Sequence, residues 1–144
     1  MRFFFYGTLL DRDVMALVVG RRLPPAAYTP AILLGHARRR AKGASYPTLV
    51  RDAAAHVPGA VVGGLSARDV AQLSAFEGPK YRIAPLRVVL AAGMTTVSVF
   101  EPVESRLAPS EHPWSLPLWQ RRDKRAFVDR LRRAFSGRPA YSTP

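Results

Sequence analysis

Cysteine is missing from this 144-residue sequence. That excludes disulfides, thiolate metal sites and a cysteine nucleophile together. Long apolar runs are missing too, and no stretch approaches the ~20 residues of a membrane-spanning helix. The apolar N-terminal run is short and meets the charges at Asp11 and Asp13 with no small-residue cleavage site, so it does not read as a secretory leader. A soluble, cytoplasmic protein is the expectation. Histidine is scarce and scattered at His36, His56 and His112, without ligand-like spacing, and Asp11 and Asp13 read as helix-capping residues. Neither a metal site nor a cofactor is expected.

Acidic residues are few: 10 Asp and Glu stand against 22 Lys and Arg, for a net charge of +12. Such an excess raises the question of a nucleic-acid partner. Lysine, however, occurs only at Lys42, Lys80 and Lys124. Abundant Arg beside abundant Ala, Gly and Pro reads as GC-rich codon usage, which inflates Arg without any anionic ligand. Charge alone decides nothing.

What is present describes a globular chain. A hydrophobic content of 48% suffices for a core, and the length fits one domain over residues 1–144, with 102–144 a Pro-rich loop and a basic C-terminal helix. Phe3 to Tyr6 form a short strand. Asp11 to Gly20 have a helix's punctuation, and Pro24, Pro25 and Pro30 mark a loop. Ala31–Gly35 read as a buried strand entering the basic segment from His36 to Lys42. Residues 45–50 and 60–65 are two further extended pieces. Ser66 and Asp69 open a helix whose Val70, Leu73 and Phe76 face inward, and Gly78-Pro79 end it. Residues 86–90 and 95–100 pair as a hairpin across Ala91-Ala92-Gly93. A loop from Pro102 to Pro117 precedes one last helix, with Trp114 and Trp119 as packing groups. Strands and helices that do not strictly alternate predict an α+β fold: a small mixed, mostly antiparallel β-barrel flanked by helices.

Two local features invite chemistry. Gly7 removes a side chain at the end of the Phe3–Tyr6 strand, which marks a bulge, a bend, or a close approach to the backbone. Glu77 sits in the last turn of its helix, where the macrodipole disfavours an anion by typically ~0.3–1 kcal/mol. If Phe76 and Tyr81 exclude water there, desolvation raises the carboxyl pKa towards the range useful for acid/base work. The plainer reading, also open, is a surface Glu77 paired with Lys80 or Arg82. Thr8 has no base beside it in sequence to make it a nucleophile.

Tyr6-Gly7-Thr8-Leu9 after the first strand, followed by Phe76-Glu77-Gly78 and Tyr81 after a short helix, resembles the gamma-glutamylcyclotransferase-like family, which includes gamma-glutamylamine cyclotransferases and AIG2-type proteins. The similarity extends to Gly35, Tyr46-Pro47 and residues 59–65, and spans residues 2–101. It implies a small mixed barrel and conversion of a γ-glutamyl amide into 5-oxoproline with release of the amine. It implies Glu77 as the catalytic acid/base and a substrate cradle of Tyr6, Gly7, Thr8, Leu9 and Tyr81. One departure is Ile83, where the family often has Arg. The expected partner is then a small γ-glutamyl substrate. The alternative is an inactive basic module that contacts nucleic acid through the Arg-rich C-terminal helix. The plainer view of that helix is a solvated face carrying Arg121, Arg122, Lys124, Arg125, Arg130, Arg132 and Arg133.

Overall fold

A computed structural model of the chain describes residues 1–103 and 108–136. Six strands are present among them: β1 (Phe3–Phe5), β2 (Tyr28–Ala41), β3 (Pro47–Val62), β4 (Tyr81–Leu90), β5 (Gly93–Pro102) and β6 (Pro109–Pro113). Four α-helices accompany them: α1 (Arg12–Val19), α2 (Ala67–Glu77), α3 (Leu116–Arg122) and α4 (Lys124–Ser136). The strand order is β3-β1-β5-β4-β2-β6, and β2 also pairs with β3. The first five strands therefore close into a barrel, with β6 attached to β2. Only β1 and β5 run parallel; the other pairings are antiparallel. The mostly antiparallel mixed barrel expected from the sequence is the fold.

The aromatic run of β1 is explained by burial on both faces. Side chains alternate across a strand, so Phe4 points into the barrel, where it packs with Val57, Val61, Val88 and Val99, and Tyr6 joins it just beyond the strand. Phe3 and Phe5 point outward into a second cluster with Val14, Leu73, Phe100 and Trp119, beneath the helices. Phe3 stacks on Phe100 at 5.0 Å between centroids. A strand covered on both sides needs no polar residue, and β1 has none.

The helix boundaries follow their caps. Asp11 Oδ1 accepts the Asp13 and Val14 amides at 2.9 and 3.1 Å to start α1. Ser66 and Asp69 complete a capping box on α2, and Asp69 also holds Arg21 at 2.6 Å. Gly78 stops α2 with φ 74°, a left-handed value that costs glycine little. Glu77 is thereby fixed as the last residue of the helix.

Four expectations are corrected. The pieces at 45–50 and 60–65 belong to one long strand, β3, which pairs with β2 from Arg40↔Pro47 to Tyr28↔Val62 around a bulge near Gly35. Pro30 lies inside β2, not in a loop; it pairs with Ala60, while β4 meets β2 only at Ile32, so no second neighbour needs the missing N–H. The Pro-rich region contains β6, because Pro109 and Pro113 sit at its ends on the sheet's outer edge. The C-terminal helix is two helices that meet at Asp123, the C-cap of α3 with its amide on Trp119 O, whose carboxylate lies 3.6 Å from Arg40.

Candidate active site

Glu77 and the turn after β1 line one pocket. Its walls include Tyr6, Gly7, Thr8 and Leu9 on one side and Glu77 and Tyr81 on another, joined by Tyr46 and Pro47 from the start of β3. All six residues singled out in the sequence are thus brought together across some seventy positions of chain. The space between them is narrow, at about 30 Å³, close to the volume of one water.

Glu77 is half-buried, and desolvation pushes its carboxyl up to about 8 from an ordinary 4.5. The pairing with Lys80 or Arg82 that would have made it a surface residue is not formed. Lys80 is exposed, and Arg82 turns across the hairpin to Glu101, its Nη2 donating to Oε1 at 2.8 Å. Among the described residues no cation pairs with Glu77. Burial, followed by the negative charge of Glu77 and the neighbouring Tyr46, also raises the Tyr81 phenol. The Tyr6 phenol is raised by burial first and then by Tyr81, Glu77 and Glu101. The Tyr6 and Tyr81 phenols and the Glu77 carboxyl therefore meet in a poorly hydrated space, where a charge on Glu77 disfavours ionisation of either phenol.

The turn itself is a short 3₁₀ helix over Thr8–Leu10. Its hydrogen bonds begin with Leu10 N to Gly7 O and Asp11 N to Thr8 O, both at 3.0 Å. The Gly7, Thr8 and Leu9 amides stand ahead of these and have no partner inside the turn. The side chains nearby are committed elsewhere. Tyr6 donates its hydroxyl to Phe100 O at 2.8 Å, and Leu9 packs into the helix-side core. The Gly7, Thr8 and Leu9 amides are thus the donors that this turn leaves without a partner of its own, on a segment that lines the pocket. Gly7 has its own packing reason to be glycine: a Cβ there would meet Pro47 Cγ at 3.0 Å.

Arg38 is a residue the sequence reading passed over. In β2, it donates from Nη1 to Tyr6 O at 2.9 Å and to Pro58 O at 3.0 Å, and from Nε to Trp114 O at 3.1 Å. Its guanidinium also lies 5.1 Å from the Trp114 ring centre. Desolvation lowers its pKa to about 10, and among the described residues no carboxylate pairs with it. Arg38 thus fixes the carbonyl immediately before Gly7 and so aims the turn. In the sequence it is one of three consecutive arginines, and nothing distinguishes it from Arg39 and Arg40. Tyr46 and Pro47 had a signal, since they belong to the resemblance, but not one that placed them in the pocket wall. Ile83, by contrast, is 49% exposed and lies outside that wall.

A closed barrel whose first strand runs into an open turn, with a desolvated carboxyl facing it from a helix end, defines the class: a gamma-glutamylcyclotransferase-like α+β barrel. The chain belongs to the gamma-glutamyl cyclotransferase, AIG2-like family, whose model matches residues 3–116. Among curated proteins it is 28% identical to AIG2-like protein C of Arabidopsis thaliana over 137 residues, covering 94% of this chain and 78% of that protein. It is 33% identical to Protein AIG2 C of the same plant over 86 residues, 60% of this chain and half of the relative. The solution structure of another Arabidopsis thaliana protein superposes with a TM-score of 0.65 at 26% identity, over 94% of this chain and 90% of that one. A structure described as a gamma-glutamyl cyclotransferase superposes with a TM-score of 0.55 over 76% of this chain and 71% of its own; at 17% identity the fold alone is shared. None of the described helices is long and apolar enough to cross a membrane.

Proposed function

We propose that the chain is a γ-glutamyl cyclotransferase, with Glu77 as the general acid/base. The observation that carries this reading is a carboxyl raised to about 8 by burial, without a cation partner among the described residues, in the pocket that also holds the Tyr6-to-Leu9 turn. The substrate's α-ammonium enters beside Glu77, which takes one proton and leaves a neutral amine. That nitrogen attacks the γ-carbonyl carbon, forming a C–N bond and closing a five-membered ring. The second proton lost by the ring nitrogen and the first both pass to the departing nitrogen through Glu77, as the bond from the γ-carbon to that nitrogen breaks. The products are 5-oxoproline and an ammonium.

Nucleophile and electrophile belong to one molecule, so effective molarity lowers the barrier and no enzyme nucleophile is needed. The amides of Gly7, Thr8 and Leu9 supply hydrogen-bond donors for a substrate carboxylate or for the oxyanion that develops on the γ-carbonyl. Tyr81 closes the site against water. Tyr46-Pro47 form the wall opposite Gly7 and bound the space open to the glutamyl group.

The test is release of 5-oxoproline from a panel of γ-glutamyl amines and amino acids by wild type and Glu77→Gln. Turnover in the wild type that is lost in the variant supports the assignment. Equal activity in both removes Glu77 from the chemistry, and silence across the panel removes the reaction.

A further inference from the structure

A second cavity, much larger, shares a wall with the first. About 710 Å³ in volume, it lies between the β2–β3 turn, β6 and α4, within the roughly 300–1,000 Å³ usual for ligand sites. Tyr46 lines both cavities. The remaining lining carries one sign of charge. Arg40, Lys42 and Arg130 project into it with His112, and no Asp or Glu lines it among the described residues. Arg40 is partly occupied, since Asp123 lies 3.6 Å away and its Nε donates to Ala44 O at 2.7 Å. Lys42 and Arg130 have no carboxylate partner among the described residues. Tyr46 and Phe127 add aromatic surface.

The proposed reaction splits the substrate into two parts, and only the glutamyl part has a place beside Glu77. The other part departs on the far side of the scissile bond and needs room. We propose that the cavity bounded by Lys42, Arg130 and Tyr46 receives the departing amine, and that this amine is a large one carrying an anionic group remote from the bond that breaks. A polyamine or a lysine side chain would bring positive charge against Lys42 and Arg130, and a cleft lined by one sign of charge repels it. An anion is attracted by the same field, and the aromatic walls cover the body of a group too big for a single-water pocket. This inference rests on the cyclotransferase reading above for the word "departing", but not for the preference in charge.

Three matched probes test it: γ-glutamyl 4-carboxybenzylamide, γ-glutamyl benzylamide and γ-glutamyl 4-(aminomethyl)benzylamide. The departing amines share one skeleton and differ in charge at its far end. The expected order of kcat/KM is carboxylate, neutral, cation, with at least a tenfold gap between the first and last at low salt. Lys42→Glu and Arg130→Glu should each collapse that ratio. Arg121→Glu changes net charge equally, from an exposed position on α3 outside the cleft lining, and should keep the ratio. A flat series, a preference for the cation, or the same loss of ratio in Arg121→Glu would overturn the proposal.

Calorimetric Kd values on Glu77→Gln protein separate the two claims. Turnover without any charge preference in rate or binding sinks the cleft and leaves the reaction standing. Preferential binding of the carboxylate probe with no 5-oxoproline from any probe keeps the cleft and sinks the reaction. Neither binding nor turnover overturns both.

Discussion

At the level of single residues, Glu77 couples function to stability with a definite sign. Its carboxyl is pushed up by burial from 4.5 to about 8 in the folded chain, so between those values the unfolded chain has lost a proton that the native state keeps. Stability then falls as pH rises through that window. Glu77→Gln, which cannot ionise, should therefore melt close to the wild type near pH 4 and above it at pH 8, and a thermal melt series reads this directly. The kcat/KM profile of the wild type should rise through a limb near pH 8, and the variant should lose about 10²–10⁴-fold in rate. Arg38→Met makes a different prediction. It strips Tyr6 O, Pro58 O and Trp114 O of their donor, which should cost about 1–3 kcal/mol in urea unfolding and lower kcat by misaiming the turn. An intact kcat would show that the turn holds without it. A carboxyl at a helix C-terminus between aromatics drew attention to Glu77, but those residues alone left a surface ion pair open, and only the resemblance singled it out as a candidate acid/base. Arg38 was not legible, because its burial depends on the barrel closing around it, and its neighbours in sequence have the same side chain.

Among the elements, the junction of α1 with α4 is held by charge as well as by packing. Lys124 Nζ bonds Asp11 Oδ2 at 2.9 Å and Asp13 Oδ2 at 2.7 Å, and Gln120 Nε2 donates to Asp11 Oδ2 at 2.9 Å. Lys124 is thus not part of a solvated outer face, as its place among arginines suggested. Burial alone would raise Asp11; bonds from Gln120, Lys124 and the Val14 amide outweigh it and lower the carboxyl below its usual 3.8. A lowered acid stabilises the fold above its unfolded pKa, and that contribution is lost as pH falls through the folded value. Lys124→Met should accordingly destabilise the chain by about 1–3 kcal/mol at pH 7, with the gap to wild type narrowing as acid protonates Asp11 below the ordinary carboxylate range. Caps and short amphipathic helices were readable from sequence because their signals are local: Asp11 before α1, Ser66 with Asp69 before α2, Gly78 after it. Strand extents were not. β3 runs through Pro58 and Gly59 because β2 lies beside it throughout, a constraint imposed by a neighbour rather than by the residues themselves. β6 went unseen for the same reason, since five residues beginning and ending in proline form a strand only where an existing edge accepts them.

For the whole molecule, a charge of +12 predicts weak adsorption to any polyanion, fading steeply with salt. The module reading asks for more: tight binding abolished when Arg121, Arg122 and Arg125, all exposed, are changed to Gln. A filter-binding titration across salt should instead find only a shallow loss in that triple variant, with 5-oxoproline release intact. The architecture was visible in outline from strands and helices that fail to alternate, while the barrel's closure depends on β2 pairing with β3 and β4 at once, which no local pattern encodes. The measurement closest to the central claim is a time course of 5-oxoproline from γ-glutamyl benzylamide at pH 8, run on wild type and Glu77→Gln at equal concentration. Formation by the wild type and near-absence in a folded variant is the expected result. Equal rates in the two proteins would contradict the account.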